Sequence, residues 1–257
     1  MQHLFPPLLI AIVTILLTVS TARADGTLTD NLRVSSEALG YDLHYRVYLP
    51  ENHDDLDDLP VIYVTDGQWY LSQGRMTRVM DRLIDFGTIE PVIGVFVDSR
   101  DPDRPKRNRR NQQFGCNQDY VDFFEDELLP TIERNYNASP DREDRVILGV
   151  SFGGLNAACF GLMAFESFAG IAMHSPATHP VPNLMPAYEQ APRLPIRIFF
   201  SIGDLYDNTL ANRKFAGILE DKGYDMEFIQ VRGEHDWDNW RPLIDDVLEY
   251  FFAKADE

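Results

Sequence analysis

Arg145-Val-Ile-Leu-Gly-Val-Ser-Phe-Gly-Gly-Leu-Asn-Ala-Ala158 is the stretch from which the rest of the chain is read. Val146, Ile147, Leu148 and Val150 form a short apolar run suited to a strand buried on both faces. After Ser151 the residues turn small, from Gly153 to Ala158, as in a helix that packs close to that strand. Gly149 and Gly153 stand two residues either side of the serine, giving Gly-x-Ser-x-Gly. A serine on so sharp a strand-to-helix turn is strained, and side chains at the flanking positions would collide. The turn aims the hydroxyl outward and leaves the N–H of Phe152, at a helix N-terminus, free to meet an oxyanion. An inert serine in a glycine-rich turn has the same pattern, so the neighbouring segments must decide.

Upstream, Tyr41 to Leu49 alternates, which predicts a half-buried antiparallel edge strand. Val61 to Thr65 and Pro91 to Val97 are buried strands, with a helix from about Arg75 to Asp85 between them. A long polar loop follows Val97, and Tyr120 to Tyr136 has the 3.6-residue period of a helix. Downstream of the serine come a strand at Gly170 to His174, a Pro-punctuated loop over 176–195 and a strand at Ile196 to Ile202. A helix at Thr209 to Asp221, a strand at Asp225 to Val231 and a last helix at Pro242 to Ala253 complete the series. Strands alternating with helices imply an α/β fold, its central sheet mostly parallel and covered by helices on both faces. Working groups in such folds gather beyond the strand carboxyl ends, here in loops 66–70, 98–119, 151–153, 203–208 and 232–241.

A serine nucleophile needs a base to take its proton and a carboxylate to orient that base. With a nucleophile elbow the expected chain order is Ser, Asp, His. His235 is the only histidine beyond residue 179, and it follows the last strand in the right loop. The acid lies in Gly203-Asp-Leu-Tyr-Asp-Asn208, where Asp207 is favoured and Asp204 stays open. Asp207 also fits a helix cap, and Asp204 a turn.

The segment Gly233-Glu-His-Asp-Trp-Asp-Asn-Trp-Arg241 resembles the signature of the enterochelin-esterase-like branch of the Putative esterase family of α/β-hydrolases. So do Val61-Ile-Tyr-Val-Thr-Asp-Gly-Gln68, Arg110-Asn-Gln-Gln-Phe-Gly115, Glu127-Leu-Leu-Pro-Thr-Ile-Glu133, Gly149-Val-Ser-Phe-Gly-Gly154 and Asn212-Arg213. The likeness covers about residues 43 to 252. It implies the α/β-hydrolase fold with antiparallel N-terminal strands and a serine esterase with Ser151 as nucleophile, His235 as base and Asp207 as acid. The backbone N–H groups of Gln68 and Phe152 would form its oxyanion hole. Glu234 departs from the family's usual glycine and sets a carboxylate beside the base. Some siderophore esterases of this branch are thought to work with a Ser–His pair, which is the alternative to a triad here.

Leu8 to Val19 is almost wholly apolar, and Ala22-Arg-Ala24 offers small residues where a signal peptidase reads. Residues 1–24 are therefore expected to be a signal peptide, and 25–257 one exported domain, periplasmic or secreted. The stretch ahead of the apolar run lacks Lys and Arg, which leaves an uncleaved anchor as the alternative. A formal net charge of −18 excludes nucleic acid and anionic membrane surfaces as natural partners. Cys116 and Cys159 either pair or stay separate and buried. Neither has zinc-site spacing and the six histidines form no ligand cluster, so no metal or cofactor is expected.

The expected partner is a small-molecule ester. Arg100, Arg104, Lys106, Arg107, Arg109 and Arg110 crowd one loop at the active-site end. They are either an anion pocket for a siderophore or other acidic ester, or charges paired with Asp98, Asp101 and Asp103. Trp69, Arg107, Arg109 and Trp237 are the candidate substrate contacts; Trp69, Trp237 and Trp240 could form an aromatic wall, and Trp237 and Trp240 equally fit packing anchors for the last helix. A feruloyl or acetyl-sugar esterase and an acyltransferase of the mycolyltransferase type are the alternatives. A catalytically dead binding protein is the rival from another class, disfavoured because Ser151 and His235 are both present.

Overall fold

The computed structural model describes residues 25–255, so the expected signal peptide lies outside the described residues. Their strands are β1 (Thr27–Leu28), β2 (Leu32–Ser36), β3 (Tyr41–Leu49), β4 (Val61–Thr65), β5 (Ile93–Asp98), β6 (Arg100–Asp101), β7 (Arg104–Asn108), β8 (Arg145–Val150), β9 (Gly170–His174), β10 (Arg197–Gly203) and β11 (Asp225–Val231). The main sheet has the order β1-β3-β5-β4-β8-β9-β10-β11, with β2 also paired to β3. From β5 to β11 neighbouring strands run parallel, and β1, β2 and β3 are antiparallel. This is the arrangement of an α/β-hydrolase.

Alternation along β4 shows why both faces need a cover. Val61 and Tyr63 enter one core with Phe124, Phe160 and Phe168, and Ile62 and Val64 enter the other with Met80, Ile244 and Val247. Helices Phe152–Met163 and Thr209–Asp221 lie on the first face, and Met76–Asp85 and Ile244–Phe252 on the second. The helical stretch read over Tyr120 to Tyr136 is Gln118–Asp122, a π-helical Phe123–Leu128, then Leu129–Tyr136.

Three expectations change. β3 is not an edge, because β1 and β2 pair along the side that β5 leaves open. The polar loop after β5 contains the β6–β7 hairpin and the helical turn Arg110–Gln113. Within the Pro-punctuated loop, Leu184–Gln190 is a helix that buries Leu184 and Tyr188. Cys116 and Cys159 form a disulfide, which ties the long loop to the helix that starts beyond Ser151.

Candidate active site

Ser151 sits between β8 and helix Phe152–Met163 with φ 57° and ψ −111°. A β-carbon at Gly149 would strike the carbonyl of Gly153, so the strand and helix can approach this closely only without one. The end of β9 holds the turn. Ser151 donates its N–H to His174 O at 2.8 Å, and its carbonyl accepts from Leu155 N at 3.0 Å and Ala177 N at 2.9 Å. Cross-linked to a neighbouring strand, the serine keeps a backbone conformation costing about 1–3 kcal/mol.

His235 lies beyond β11, its Nε2 at 2.7 Å from Ser151 Oγ and its Nδ1 at 2.5 Å from Asp207 Oδ1. Asp207 follows β10 and is fully buried. Its Oδ2 accepts from Ser175 Oγ at 2.5 Å, from Gly203 N and from Asn239 Nδ2 at 3.4 Å, which leaves Oδ1 to the imidazole. Trp240 Nε1 donates to Ser175 Oγ at 2.8 Å, and its ring meets the His235 ring edge-on at 4.9 Å. A buried carboxylate given this many donors is fixed in orientation, and it holds the ring with Nδ1 toward Asp207 and Nε2 toward Ser151. Asp204 makes a different contact, accepting from Gly233 N at 3.2 Å. Glu234 has an exposed side chain and contributes its carbonyl to Asn239 Nδ2 at 2.8 Å.

Phe152 is the first residue of its helix, so its N–H has no carbonyl one turn earlier to bond. Gln68 is in the one-turn helix Gly67–Trp69 that follows β4, the strand paired beside β8. Buried Asp66 organises this second loop. It accepts from Ser99 Oγ at 2.7 Å and meets Arg110 Nη2 at 2.8 Å. The Gln68 amide donates to Ser99 Oγ at 3.0 Å. Burial pushes the Asp66 carboxyl up to about 6, against the opposing pull of Arg110 and Ser99.

Two clefts meet at Ser151. One, of about 420 Å³, is lined by Trp69, Gln73, Val150, His235, Trp237 and Trp240. The other, of about 650 Å³, is lined by Asn111, Phe152, Ala177, His179 and Pro180. Arg110 borders both. Trp69 and Trp237 thus share a cleft with Ser151. Arg107 and Arg109 line neither cleft. Arg109 meets Asp101 at 2.8 Å and stacks over Tyr41 at 4.0 Å, and Arg107 stands 3.9 Å from the same aspartate. Arg104 also meets Asp101, and Arg100 pairs with Asp98. The anion-pocket expectation is corrected to that extent: Asp98 and Asp101 draw Arg100, Arg104, Arg107 and Arg109 to themselves, and Arg110 is the arginine at the serine. Ser175, Asn239, Asp66, Asn111 and His179 were not read from the sequence as parts of the site. Asp66, Asn111 and Asn239 fall in segments that carry the family likeness, and the only signal for Ser175 and His179 is their position beyond the end of β9.

The family model described as Putative esterase matches residues 36–251. Among curated proteins, the uncharacterized protein YjcH of Bacillus subtilis (strain 168) is 27% identical over 240 residues, covering 89% of this chain and 98% of its own. An endo-1,4-beta-xylanase/feruloyl esterase of Xylanibacter ruminicola is 26% identical over 234 residues, 84% of this chain but 30% of its own. The crystal structure of the enterobactin esterase of Shigella flexneri in the presence of enterobactin superposes with a TM-score of 0.78 at 21% identity, covering 86% of this chain and 58% of that one. The chain therefore spans under two thirds of these last two.

Proposed function

This chain belongs to the Putative esterase family, and from that premise we propose that it hydrolyses a carboxylic ester through an acyl-enzyme on Ser151. The observation that carries the reading is the hydrogen-bonded line from Ser151 through His235 to Asp207, ending on a serine with positive φ. Ser151 Oγ attacks the ester carbon as His235 Nε2 takes its proton. The carbonyl oxygen, now negative, turns to the N–H groups of Phe152 and Gln68. Collapse breaks the bond to the alcohol oxygen, and Nε2 returns the proton to it. Water then repeats the sequence on the acyl-serine, releasing the acid and restoring Ser151.

The tryptophan-lined cleft favours an ester with an aromatic or flat apolar part, and two similar proteins are named as a feruloyl esterase and an enterobactin esterase. Residues 25–257 act as one esterase domain, exported after loss of residues 1–24. The disulfide fits that address, because such bonds persist in oxidising compartments.

Hydrolysis of p-nitrophenyl acetate by the purified protein tests the reading. Ser151→Ala should lower kcat by about 10⁴ or more with circular dichroism unchanged. A variant that kept a tenth of wild-type turnover would remove Ser151 from the mechanism.

A further inference from the structure

Two clefts share one serine, and the proton path gives them different tasks. The imidazole Nε2 that takes the proton from Ser151 Oγ, 2.7 Å away, is the same atom that must hand it to the departing alcohol oxygen. The alcohol oxygen therefore has to lie on the His235 flank of the serine. His235 lines the cleft of Trp69, Trp237 and Trp240 and not the cleft of Asn111, Phe152 and His179. The carbonyl oxygen is committed to a third direction, toward the helix N-terminus at Phe152. One direction and one cleft remain for the acyl substituent.

Resting on the acyl-enzyme reading, we propose that the tryptophan cleft holds the alcohol half of the ester and the Asn111–His179 cleft holds the acyl half. The linings give each half a chemical class. Trp69 and Trp237 line the alcohol side, and aromatic walls suit a flat apolar group. The acyl side mixes Phe152, Ala177 and Pro180 with the polar Asn111 and His179, and its larger volume, about 650 Å³, accepts an acyl group with hydrogen-bonding substituents. Arg110, anchored by Asp66 at 2.8 Å, forms the partition between them. Selection for the alcohol and for the acid is thereby assigned to separate side chains.

The test is a crossed specificity series on the full chain, read as ratios of kcat/KM. One ratio compares benzyl acetate with ethyl acetate, where only the alcohol changes. The other compares p-nitrophenyl 4-hydroxybenzoate with p-nitrophenyl acetate, where only the acyl group changes. Trp69→Ala should lower the first ratio about tenfold and leave the second within about twofold, the scale on which pocket contacts discriminate. The double variant Asn111→Ala/His179→Ala, both exposed positions, should do the converse. The exchanged pattern would reverse the assignment and overturn the proposal. An equal fall of both ratios in either variant, or no change in any, would overturn it as well. Failure of the underlying esterase reading looks different: wild-type protein would turn over none of the four esters.

Discussion

Asp207 and Asp204 share one turn three residues apart, yet the chain uses them for different bonds. Asp207 is buried with its Oδ2 occupied by Ser175, Gly203 and Asn239, and Oδ1 is turned to His235. Asp204 only pins Gly233. Asparagine at 207 would keep the shape but present the imidazole with an amide that can donate, favouring the wrong tautomer. Asp207→Asn should therefore cost about 10⁴ in kcat, and Asp204→Asn less than about tenfold, measured on p-nitrophenyl acetate. The reverse ranking would move the acid to Asp204, and two mild effects would favour a Ser–His pair. Motif and chain order made Ser151 and His235 readable. Asp207 could only be favoured, because which carboxylate turns inward depends on Ser175 and Asn239, which come from loops 32 residues away on either side.

At the scale of elements, the parallel strands were legible because each is an apolar run between turn signals. The β6–β7 hairpin was not, since its residues are charged and Arg104–Asn108 is exposed throughout. Its order comes from Asp101, which gathers Arg104, Arg107 and Arg109, and no periodicity reports that. Helix Leu184–Gln190 was hidden by the prolines around it, and the pairing of β1 and β2 onto β3 by their shortness. Composition also left the disulfide open, because two thiols carry no statement of distance. The bond closes a loop of 43 residues, and such a closure contributes about 4 kcal/mol by the chain-entropy account. The variant Cys116→Ser/Cys159→Ala should lose stability of that order in urea unfolding, and reductant should destabilise the wild type similarly. A loss below about 1 kcal/mol would mean the long loop is held by its ion pairs alone.

Across the whole molecule, the candidate site is assembled from the carboxyl ends of β4, β8, β9, β10 and β11, so its geometry depends on the sheet. His174, at the end of β9, is fully buried with Nδ1 2.6 Å from Ser201 Oγ. Burial lowers its pKa to about 3, against an ordinary 6.5. Above pH 6.5 both the folded and unfolded forms hold this histidine neutral, and its contribution to stability is fully present. Between 6.5 and 3 the unfolded chain binds a proton that the folded one refuses, so stability falls as pH falls. Asp66, raised from 3.8 to about 6, works in the opposite sense between those values, because the folded form keeps its proton more readily. His174→Asn should thus flatten the loss of urea stability between pH 7 and pH 5, and Asp66→Asn should steepen it. An unchanged pH slope in the His174 variant would show that this ring takes up its proton in the folded state.

The most direct measurement of the central claim is the site of the covalent intermediate. The protein is mixed with p-nitrophenyl acetate, quenched in acid during turnover, digested and analysed by peptide mass spectrometry. The acyl-enzyme account predicts one acetyl group on the peptide containing Ser151, absent from Ser151→Ala. An acetyl group carried on another residue in its place, or sustained turnover by the Ser151→Ala protein, would contradict it.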